Sequence, residues 1–371
     1  MQTFIYDLFS AYVFPGMLLA FGLCFLFVYV PEKEGLKNYL LARKTMGFSY
    51  LLLAVVLFAE VAFKQGPADV LPQKILILAV GCTQLFLFTC ALITLLDTGF
   101  LTRYKVGREA LVVSVASALV IGVVAGCQEN VVRVCFWVFT LWYVMLLARY
   151  VVIFRRYYSR YLKYMENYFS DDETTRLHWV PVEFYMIIGV YFVAMLFSWY
   201  ITPLTHFIFM LMVDVFYALF AIFFLNYVSI FPKLEAPMAE IAVEEPEAET
   251  AEPQAERDVN AEEEALMARI DKMVAAKSLY TMPDLTVEKL ASLVGVRHRQ
   301  VSMAINRCRN MNFSAYVNCY RVDEAQRLLE DGWLDGHTLD ALAVKVGFGS
   351  RINLYRSFKR LKGVSPSDFA K

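Results

Sequence analysis

The amino-acid sequence predicts an all-α fold in two parts, a polytopic membrane bundle of about seven helices followed by a soluble all-α domain. Three observations support this prediction. The 371 residues are 58% hydrophobic with a mean hydropathy of +0.48, which is too apolar for a soluble chain of this length. Apolar runs of bilayer-spanning length fill the chain between residues 8 and 230. A short pattern with helical spacing then occurs twice near the C-terminus.

The apolar runs predict seven membrane spans, since a helix needs about 20 apolar residues to cross a bilayer. They cover residues 8–30, 46–63, 75–96, 110–126, 131–152, 182–199 and 207–230. The fourth and fifth runs are joined by residues 127–130 alone, so six or eight spans are alternatives. The first run lacks a basic segment and a small-residue cleavage site, which favours a retained helix over a signal peptide.

The charge of the loops predicts the orientation, because Lys and Arg accumulate on the cytoplasmic side. The first, third and fifth loops hold twelve Lys and Arg residues, against three in the second, fourth and sixth. This asymmetry predicts a protein of the inner (cytoplasmic) membrane with its N-terminus outside and its C-terminus in the cytoplasm.

The loop at residues 155–180 carries tyrosines at helical spacing, namely Tyr157, Tyr161, Tyr164 and Tyr168. One interpretation is an interfacial helix or a cytoplasmic extension of the fifth span, with Tyr in the aromatic belt. The alternative is a relay surface that touches the C-terminal domain.

Four ionisable residues lie in or beside the spans, where charge is costly and suggests a function. With the predicted orientation, Glu60, Arg133 and Asp214 fall in the outer half of the membrane and His206 just outside it. One hypothesis is that they line an outward-facing polar cavity that accepts a ligand. The alternative is an ion pair that satisfies itself between helices.

The composition changes abruptly after the seventh run. Residues 235–265 carry twelve acidic side chains and one basic one, a net charge of −11, which predicts a disordered acidic linker at residues 234–265. As an ideal coil it would span ~30 Å. Residues 266–371 carry a net charge of +7. The linker either competes weakly with other polyanions for this basic domain or only keeps the chain solvated.

The repeated pattern predicts two helix-turn-helix units. Residues 290–296 read Leu-Ala-Ser-Leu-Val-Gly-Val, and residues 342–348 read Leu-Ala-Val-Lys-Val-Gly-Phe. In each copy a small Ala lets two helices cross closely, and a Gly four residues later takes the positive φ of the turn. Residues 347–360 and 363–369 resemble the C-terminal signature of the AraC/XylS family of transcription regulators, and residues 313–317 and 321–329 resemble that family's linker helix.

The resemblance covers about the last quarter of the chain and implies that two recognition helices enter successive major-groove segments on one face of DNA. Helical angles place Val301, Ile305 and Cys308, and then Leu354, Phe358 and Leu361, on the inward faces. The candidate DNA-binding residues are Arg297, His298, Arg299, Met303, Asn306, Arg307, Arg351, Ile352, Asn353, Arg356, Lys359 and Arg360. Met303 stands where many relatives have a basic residue, and Asn310 replaces the usual Gly.

These observations predict a transmembrane sensor-like domain at residues 1–233, the linker, and a DNA-binding domain at residues 266–371. The expected function is a membrane-integral one-component transcription regulator, without enzymatic activity, cofactor or metal. The expected partners are double-stranded DNA and the lipid bilayer, and the hypothesis leaves room for a homodimer, a small-molecule or envelope signal, and RNA polymerase. The alternative is a transporter or channel-like protein whose C-terminal module binds another protein.

Overall fold

The computed structural model describes residues 8–30, 37–63, 70–97, 100, 104–170, 179–199, 202–226 and 261–370. Every regular element in these residues is a helix, which confirms the all-α prediction. The chain forms two compact units. The first comprises Met1–Tyr161 and Leu177–Glu244, and the second comprises Leu162–Arg176 and Glu245–Lys371. Most of the predicted acidic linker, residues 234–260, lies outside the described residues.

The described residues contain seven helices that are long and apolar enough to cross a membrane, as predicted. They are α1 Phe14–Phe27, which continues a π-helical turn at Phe9–Val13, α2 Lys37–Phe63, α3 Val70–Leu96, α4 Tyr104–Gly126, α5 Glu129–Tyr168, α6 Trp179–Trp199 and α7 Pro203–Asn226.

Helix α5 is 40 residues long and extends well beyond the predicted fifth span at residues 131–152. It continues through the first half of the loop predicted at residues 155–180. The sequence explains this extension, since there is no Pro or Gly between the end of the apolar run and Pro181 to end the helix. The last turns of α5, from Leu162, belong to the second unit.

The first unit is built around helix α3. Inside the unit, 72% of the residues in an 18-residue window of Lys74–Leu96 are buried, against 11% of Val106–Val123 in α4. Helix α4 accordingly exposes apolar side chains such as Leu111 and Leu119. An outward apolar face of this kind suits a lipid environment rather than water.

Aromatic packing and side-chain hydrogen bonds hold the centre of this bundle together. Tyr50 lies in edge contact with Tyr217, with ring centroids 4.8 Å apart, and its hydroxyl donates to the Tyr217 carbonyl at 2.7 Å. Gln84 Nε2 donates to the Ser49 carbonyl at 3.0 Å, and Ser49 Oγ donates to Gln84 Oε1. These bonds satisfy polar groups that lie away from water.

Within its described residues, the second unit contains the end of α5 and seven further helices. They are α8 Ala261–Ala276, α9 Val287–Val294, α10 His298–Arg309, α11 Phe313–Glu330, α12 Leu339–Lys345, α13 Arg351–Lys362 and α14 Pro366–Phe369. Short 3-10 turns lie at Leu279–Thr281 and Trp333–Asp335.

Helix α8 begins at Ala261, so residues 261–265 are helical. The sequence had predicted them to be part of the disordered linker. Two local effects account for the early start. Glu262, Glu263 and Glu264 lie in the first turn, where acidic side chains favour the helix macrodipole. Glu263 also accepts a hydrogen bond from Arg307 at 2.6 Å.

Both copies of the repeated pattern fold as helix-turn-helix units. Thr286 and Thr338 cap the first helix of each unit through their side-chain oxygens. The turn glycines, Gly295 and Gly347, have φ angles of 78° and 95°. Ser350 caps the second helix of the second unit by accepting a bond from the Asn353 amide at 3.2 Å. The pattern therefore folds as its spacing predicted.

Helix α11 connects the two units, and it covers both segments, residues 313–317 and 321–329, that resemble the linker helix of the AraC/XylS family. Its N-terminal half, with Val317, packs in the core of the first unit. Its C-terminal half, with Ala325, packs in the core of the second. One rigid helix of ~27 Å thus carries both units.

The two turn glycines differ in their surroundings, which gives a matched pair of substitutions. Gly347→Ala places a Cβ 2.4 Å from the Tyr280 carbonyl oxygen, whereas Gly295→Ala meets nothing within 4 Å. We expect about 1–2 kcal/mol of destabilisation for Gly295→Ala from its positive φ, and ~3 kcal/mol or more for Gly347→Ala because backbone must also move. Hydrogen exchange of the full chain in detergent measures both. Equal destabilisation by the two substitutions would show that Gly347 does not lie close to the Tyr280 carbonyl.

Candidate nucleic-acid interface

Helix α10 is the second helix of the first helix-turn-helix unit. Its inner face buries Val301, Ala304 and Ile305, and Cys308 lies half-buried at the edge of the same core. The opposite side exposes Arg299 and Asn306, with Met303 half-buried beside them. The N-terminus is fixed by the Arg297 amide, which donates to Gln300 Oε1 at 3.0 Å. The apolar face therefore fixes which side of α10 is presented outward.

Arg307 differs from the other candidates on α10 because it forms an ion pair with Glu263 of α8. Its side chain is 25% exposed, and the Nη1 to Oε1 distance is 2.6 Å. The arginine thus fastens α8 against the recognition helix. Arg309 makes a similar bridge from the end of α10 to Asp271. The sequence could not distinguish these two arginines from those on the outer face.

Helix α13 is the equivalent helix of the second unit. Leu354, Ser357 and Phe358 form its buried face. Leu361 was predicted to face inward, but its side chain is 41% exposed, because it lies in the last turn beyond the edge of the second core. The outer side exposes Arg351, Ile352, Arg356, Lys359 and Arg360, and Asn353 is half-buried.

An exposed isoleucine is unusual on the surface of a basic helix. Ile352 is 61% exposed and lies on the same side of α13 as Arg356 and Lys359. Such a combination can serve sequence reading, since Arg hydrogen-bonds guanine and an aliphatic side chain contacts the methyl group of thymine. Arg351 lies 3.7 Å from Asp340, and both side chains are largely exposed, so solvent screens this pair.

Asn310 occupies the position where the family resemblance expects Gly. Its φ is 52°, the left-handed conformation that was expected for a helix C-cap here. Asn tolerates this conformation better than other residues with a Cβ. Asn310 therefore ends α10 in the left-handed conformation that a Gly could also adopt.

Arg321, in the middle of helix α11, is a buried charge that was not singled out in the sequence. Its side chain is 0% exposed. Nε donates to the Tyr280 carbonyl at 2.7 Å, and Nη2 donates to the Met282 carbonyl at 2.8 Å. The guanidinium lies over the Phe348 ring, 5.4 Å from its centroid. Arg321 therefore bonds residues beside the first unit while it stacks on the second.

Ser170, which lies two residues beyond the end of helix α5, accepts two further bonds from Arg321. Nη1 donates to the Ser170 carbonyl at 3.1 Å, and Nη2 donates to Ser170 Oγ at 3.0 Å. The neighbouring Tyr168 hydroxyl donates to Glu288 at 2.7 Å, and its ring joins the core of the first helix-turn-helix unit. Of the four tyrosines noted in the loop, Tyr168 thus contacts the C-terminal domain.

Helical spacing contains a signal that could have identified Arg321. Val317, Ala325 and Leu329 are buried positions on α11, and Arg321 lies on the same stripe at intervals of four. Arginine is almost never fully buried unless it is paired. An arginine on an apolar stripe therefore indicates a buried partner, although the pattern does not reveal that Ser170 provides it.

A second polar cluster anchors α8 to helix α11. Asp271 accepts hydrogen bonds from the Tyr316 hydroxyl at 2.7 Å and from the Tyr320 hydroxyl at 3.0 Å. Burial raises the pKa of both tyrosines above the usual range, so the hydroxyls stay protonated and donate. The hydrogen bond to Asp271 raises the pKa of Arg309, which keeps this ion pair charged.

The structure brings together only two of the four ionisable residues predicted to form a membrane cluster. Glu60 and His206 line a cavity of about 100 Å³ in the first unit. Arg133 does not line it but pairs with Glu129 of its own helix at 2.8 Å, at an exposed position. Asp214 is 6% exposed, and its Oδ1 accepts no bond from the described residues. Two of the four residues thus line this cavity, and the hypothesis of one polar cavity lined by all four stays a prediction.

Residues 290–371 match a family model described as a helix-turn-helix domain. This match supports DNA-binding transcription regulation of the AraC type. Comparisons with curated proteins and with solved structures gave no match. The C-terminal part of the chain thus carries an AraC-type helix-turn-helix domain, preceded by helices that are compatible with a membrane domain.

Two arginines of helix α11 allow the role of the buried charge to be measured. Arg321→Met keeps the volume but leaves the carbonyls of Tyr280 and Met282 without a donor, so we expect a loss of ~3 kcal/mol in stability. The matched variant Arg327→Met removes exposed bonds to Glu324 and Asp331 and should leave stability nearly unchanged. Hydrogen exchange of α9 and α11 in the full chain reports both. Similar protection in the two variants would contradict this role of Arg321.

Proposed function

We propose that this protein is a membrane-integral one-component transcription regulator that binds promoter DNA in a sequence-specific manner. The observation that carries the proposal is the pairing of two recognition helices on one connecting helix, each with a buried apolar face and an outward face of base-reading residues. The DNA bases would be contacted by Arg299, Met303 and Asn306 on α10 and by Ile352, Arg356 and Lys359 on α13. Arg297, His298, Arg351 and Arg360 would contact phosphates.

The length of α11 supports simultaneous binding by both helices. A connecting helix of ~27 Å is close to the ~34 Å of one DNA turn, so two readers can face neighbouring major-groove segments. Residues 266–371 carry a net charge of +7, which favours association with the phosphate backbone. Asn353, half-buried at the start of α13, would reach adenine only if the helix enters the groove by its N-terminal end.

The loop charges support an orientation in which the C-terminal domain lies in the cytoplasm, where promoter DNA is accessible. We propose that residues 1–233 form the transmembrane sensor domain in the inner membrane and that the acidic residues after the seventh helix form a tether. The domain architecture allows regulation through a homodimer or contact with RNA polymerase. The proposal includes no enzymatic activity and no cofactor.

The cavity in the first unit is the proposed sensing site. Apolar side chains form most of its wall, and Glu60, Gln84 and His206 add polar groups. This lining suits a small molecule with an apolar body and one polar group. Residues from α1, α2, α3, α6 and α7 all contribute to the cavity, so a ligand there would contact five of the spans at once.

Selection from a random-sequence DNA library with the full chain in lipid nanodiscs, at fixed salt, tests the proposed function. We expect a defined operator with two half-sites one helical turn apart. Recovery of no preferred sequence would contradict sequence-specific regulation and would favour a C-terminal module that binds another protein.

Substitutions on the outer face of α13 separate base reading from phosphate contact. Arg356→Ala should cost about 1–3 kcal/mol of binding free energy and relax the preference at one base pair. Arg360→Ala should weaken binding to all sequences alike and lower the slope of log K against log salt by ~1. Lys277→Ala, an exposed change at the end of α8, is the matched control and should alter neither quantity. Equal loss on all sequences for Arg356→Ala would exclude base reading by this residue.

Variants of the cavity test the sensing site in cells. With a reporter fused to the selected operator, Glu60→Gln should reduce the change in output across growth conditions severalfold, because the carboxylate no longer binds the ligand's polar group. Glu129→Gln, which alters an exposed acid on α5, is the control and should respond as the unmodified protein does. If Glu60→Gln inserts normally and responds fully, the cavity is not the sensing site.

A further inference from the structure

The final residues of helix α5 and the two that follow it contact the DNA-binding unit through a set of specific bonds. We propose that residues 165–170 are a docking segment that holds the DNA-binding unit in a state of low operator affinity, and that the membrane domain releases this segment to permit binding. The proposal rests on the proposed function, since it concerns the affinity of the same two recognition helices for DNA.

Backbone pairing fixes the position of the docking segment. Phe169 forms an isolated antiparallel bridge with Thr286, the residue that caps helix α9. The Ser170 amide donates to the Leu285 carbonyl at 3.1 Å. Within the described residues this is the one bridge of strand type, and it joins positions more than 100 residues apart. A pairing of backbone groups specifies one register rather than a loose apolar contact.

Side chains on both sides of this bridge add further bonds. On one side, Tyr168 donates to Glu288 in the first turn of α9 at 2.7 Å. On the other, Asn312 Nδ2 donates to the Glu166 carboxylate at 2.9 Å. Asn312 also caps α11 through its Oδ1, which accepts from the Ala315 amide at 2.7 Å. The docking segment therefore binds the starts of α9 and α11 together.

The bonds to Arg321 extend the effect of the segment to both helix-turn-helix units. Arg321 donates to residues beside the first unit and stacks on Phe348 of the second. Ser170 supplies two of its acceptors, the carbonyl and the hydroxyl. When the segment leaves, these donors must turn to water or to other acceptors, because a buried guanidinium is not left unsatisfied. Docking is thus coupled to Arg321, which joins the two helix-turn-helix units.

The position of Glu166 indicates that docking of the segment lowers the affinity for DNA. Glu166 and Met165 line a polar cavity of about 220 Å³ together with Asn353, Arg356 and Arg360 of the second recognition helix. The Glu166 carboxylate lines the same cavity as the guanidinium groups of Arg356 and Arg360, which are proposed to contact DNA. Its negative charge repels DNA phosphates that approach these two arginines. The docked segment therefore competes with DNA at α13 and lowers operator affinity.

The segment is suited to reversible release because it is short. It has six residues and one isolated bridge, whereas the two cores of the DNA-binding unit are formed mainly by helices α8 to α14. Residues 165–168 of the segment are the last turn of α5, so the segment continues the fifth apolar helix without a break. A change in the membrane domain that displaces the end of α5 would need to break only these local contacts.

A disulfide that locks the segment in place tests the proposal on the full chain in nanodiscs. Phe169 and Thr286 are directly opposed in a pair of the non-hydrogen-bonded type, whose Cα atoms lie about 4.5 Å apart, within disulfide range. In the double variant Phe169→Cys/Thr286→Cys, peptide mapping should find the cross-link after mild oxidation. We expect the oxidised form to bind the selected operator roughly tenfold more weakly than the same protein after reduction.

The single variants Phe169→Cys and Thr286→Cys are the controls and should bind equally in both redox states. They also account for the seven native cysteines and for loss of the Thr286 cap. Failure of the cross-link to form, or equal or tighter binding by the oxidised double variant, overturns the proposal. If the reduced protein has no preferred sequence, the proposed function itself fails. If it has one that the lock leaves unchanged, only the docking proposal fails.

The charge of Glu166 can be removed without its hydrogen bond, since Glu166→Gln keeps an oxygen that accepts from Asn312. We expect this variant to bind the operator severalfold more tightly than the unmodified protein. Glu262→Gln, an exposed change on α8, is the matched control and should have no effect. Unchanged operator affinity in Glu166→Gln would exclude competition between this carboxylate and DNA.

Discussion

The buried guanidinium of Arg321 is the interaction on which the DNA-binding unit depends. A charge without solvent exposure requires several acceptors, and this one obtains them from the 3-10 turn after α8, from Met282 and from Ser170. The guanidinium also lies over the face of the Phe348 ring. These groups come from three distant parts of the sequence, so one side chain determines how the two helix-turn-helix units and the end of α5 are assembled.

Much of the fold was predictable because its signals are local. Apolar runs identified the seven candidate spans, and the repeated Ala-x-x-x-Gly pattern identified both turns. Helical angles also gave the buried faces of α10 and α13 except at Leu361, where the angle is correct but the core has already ended. Periodicity reports which side of a helix faces inward, and does not report how far the neighbouring element extends.

What the sequence did not reveal arises from contacts between distant residues. Arg307 looks like its neighbours on α10, and only the position of Glu263 shows that it forms an ion pair. The grouping of Glu60 with Arg133 and Asp214 rested on depth in the membrane alone, which leaves the rotation of each helix undetermined. The spacing of the tyrosines allows a relay surface in the loop at residues 155–180, but the role of Ser170 depends on a hydrogen bond across 151 residues.

The second unit is discontinuous in sequence, since it combines Leu162–Arg176 with Glu245–Lys371. A protease that cuts the acidic stretch before α8 would consequently not liberate this unit intact. The fragment would leave behind its own Ser170 and Tyr168, and with them two acceptors of Arg321 and part of an aromatic core. The cleaved fragment would thus differ from the intact protein in conformation as well as in location. Its DNA-binding properties would not be those of the membrane-attached unit.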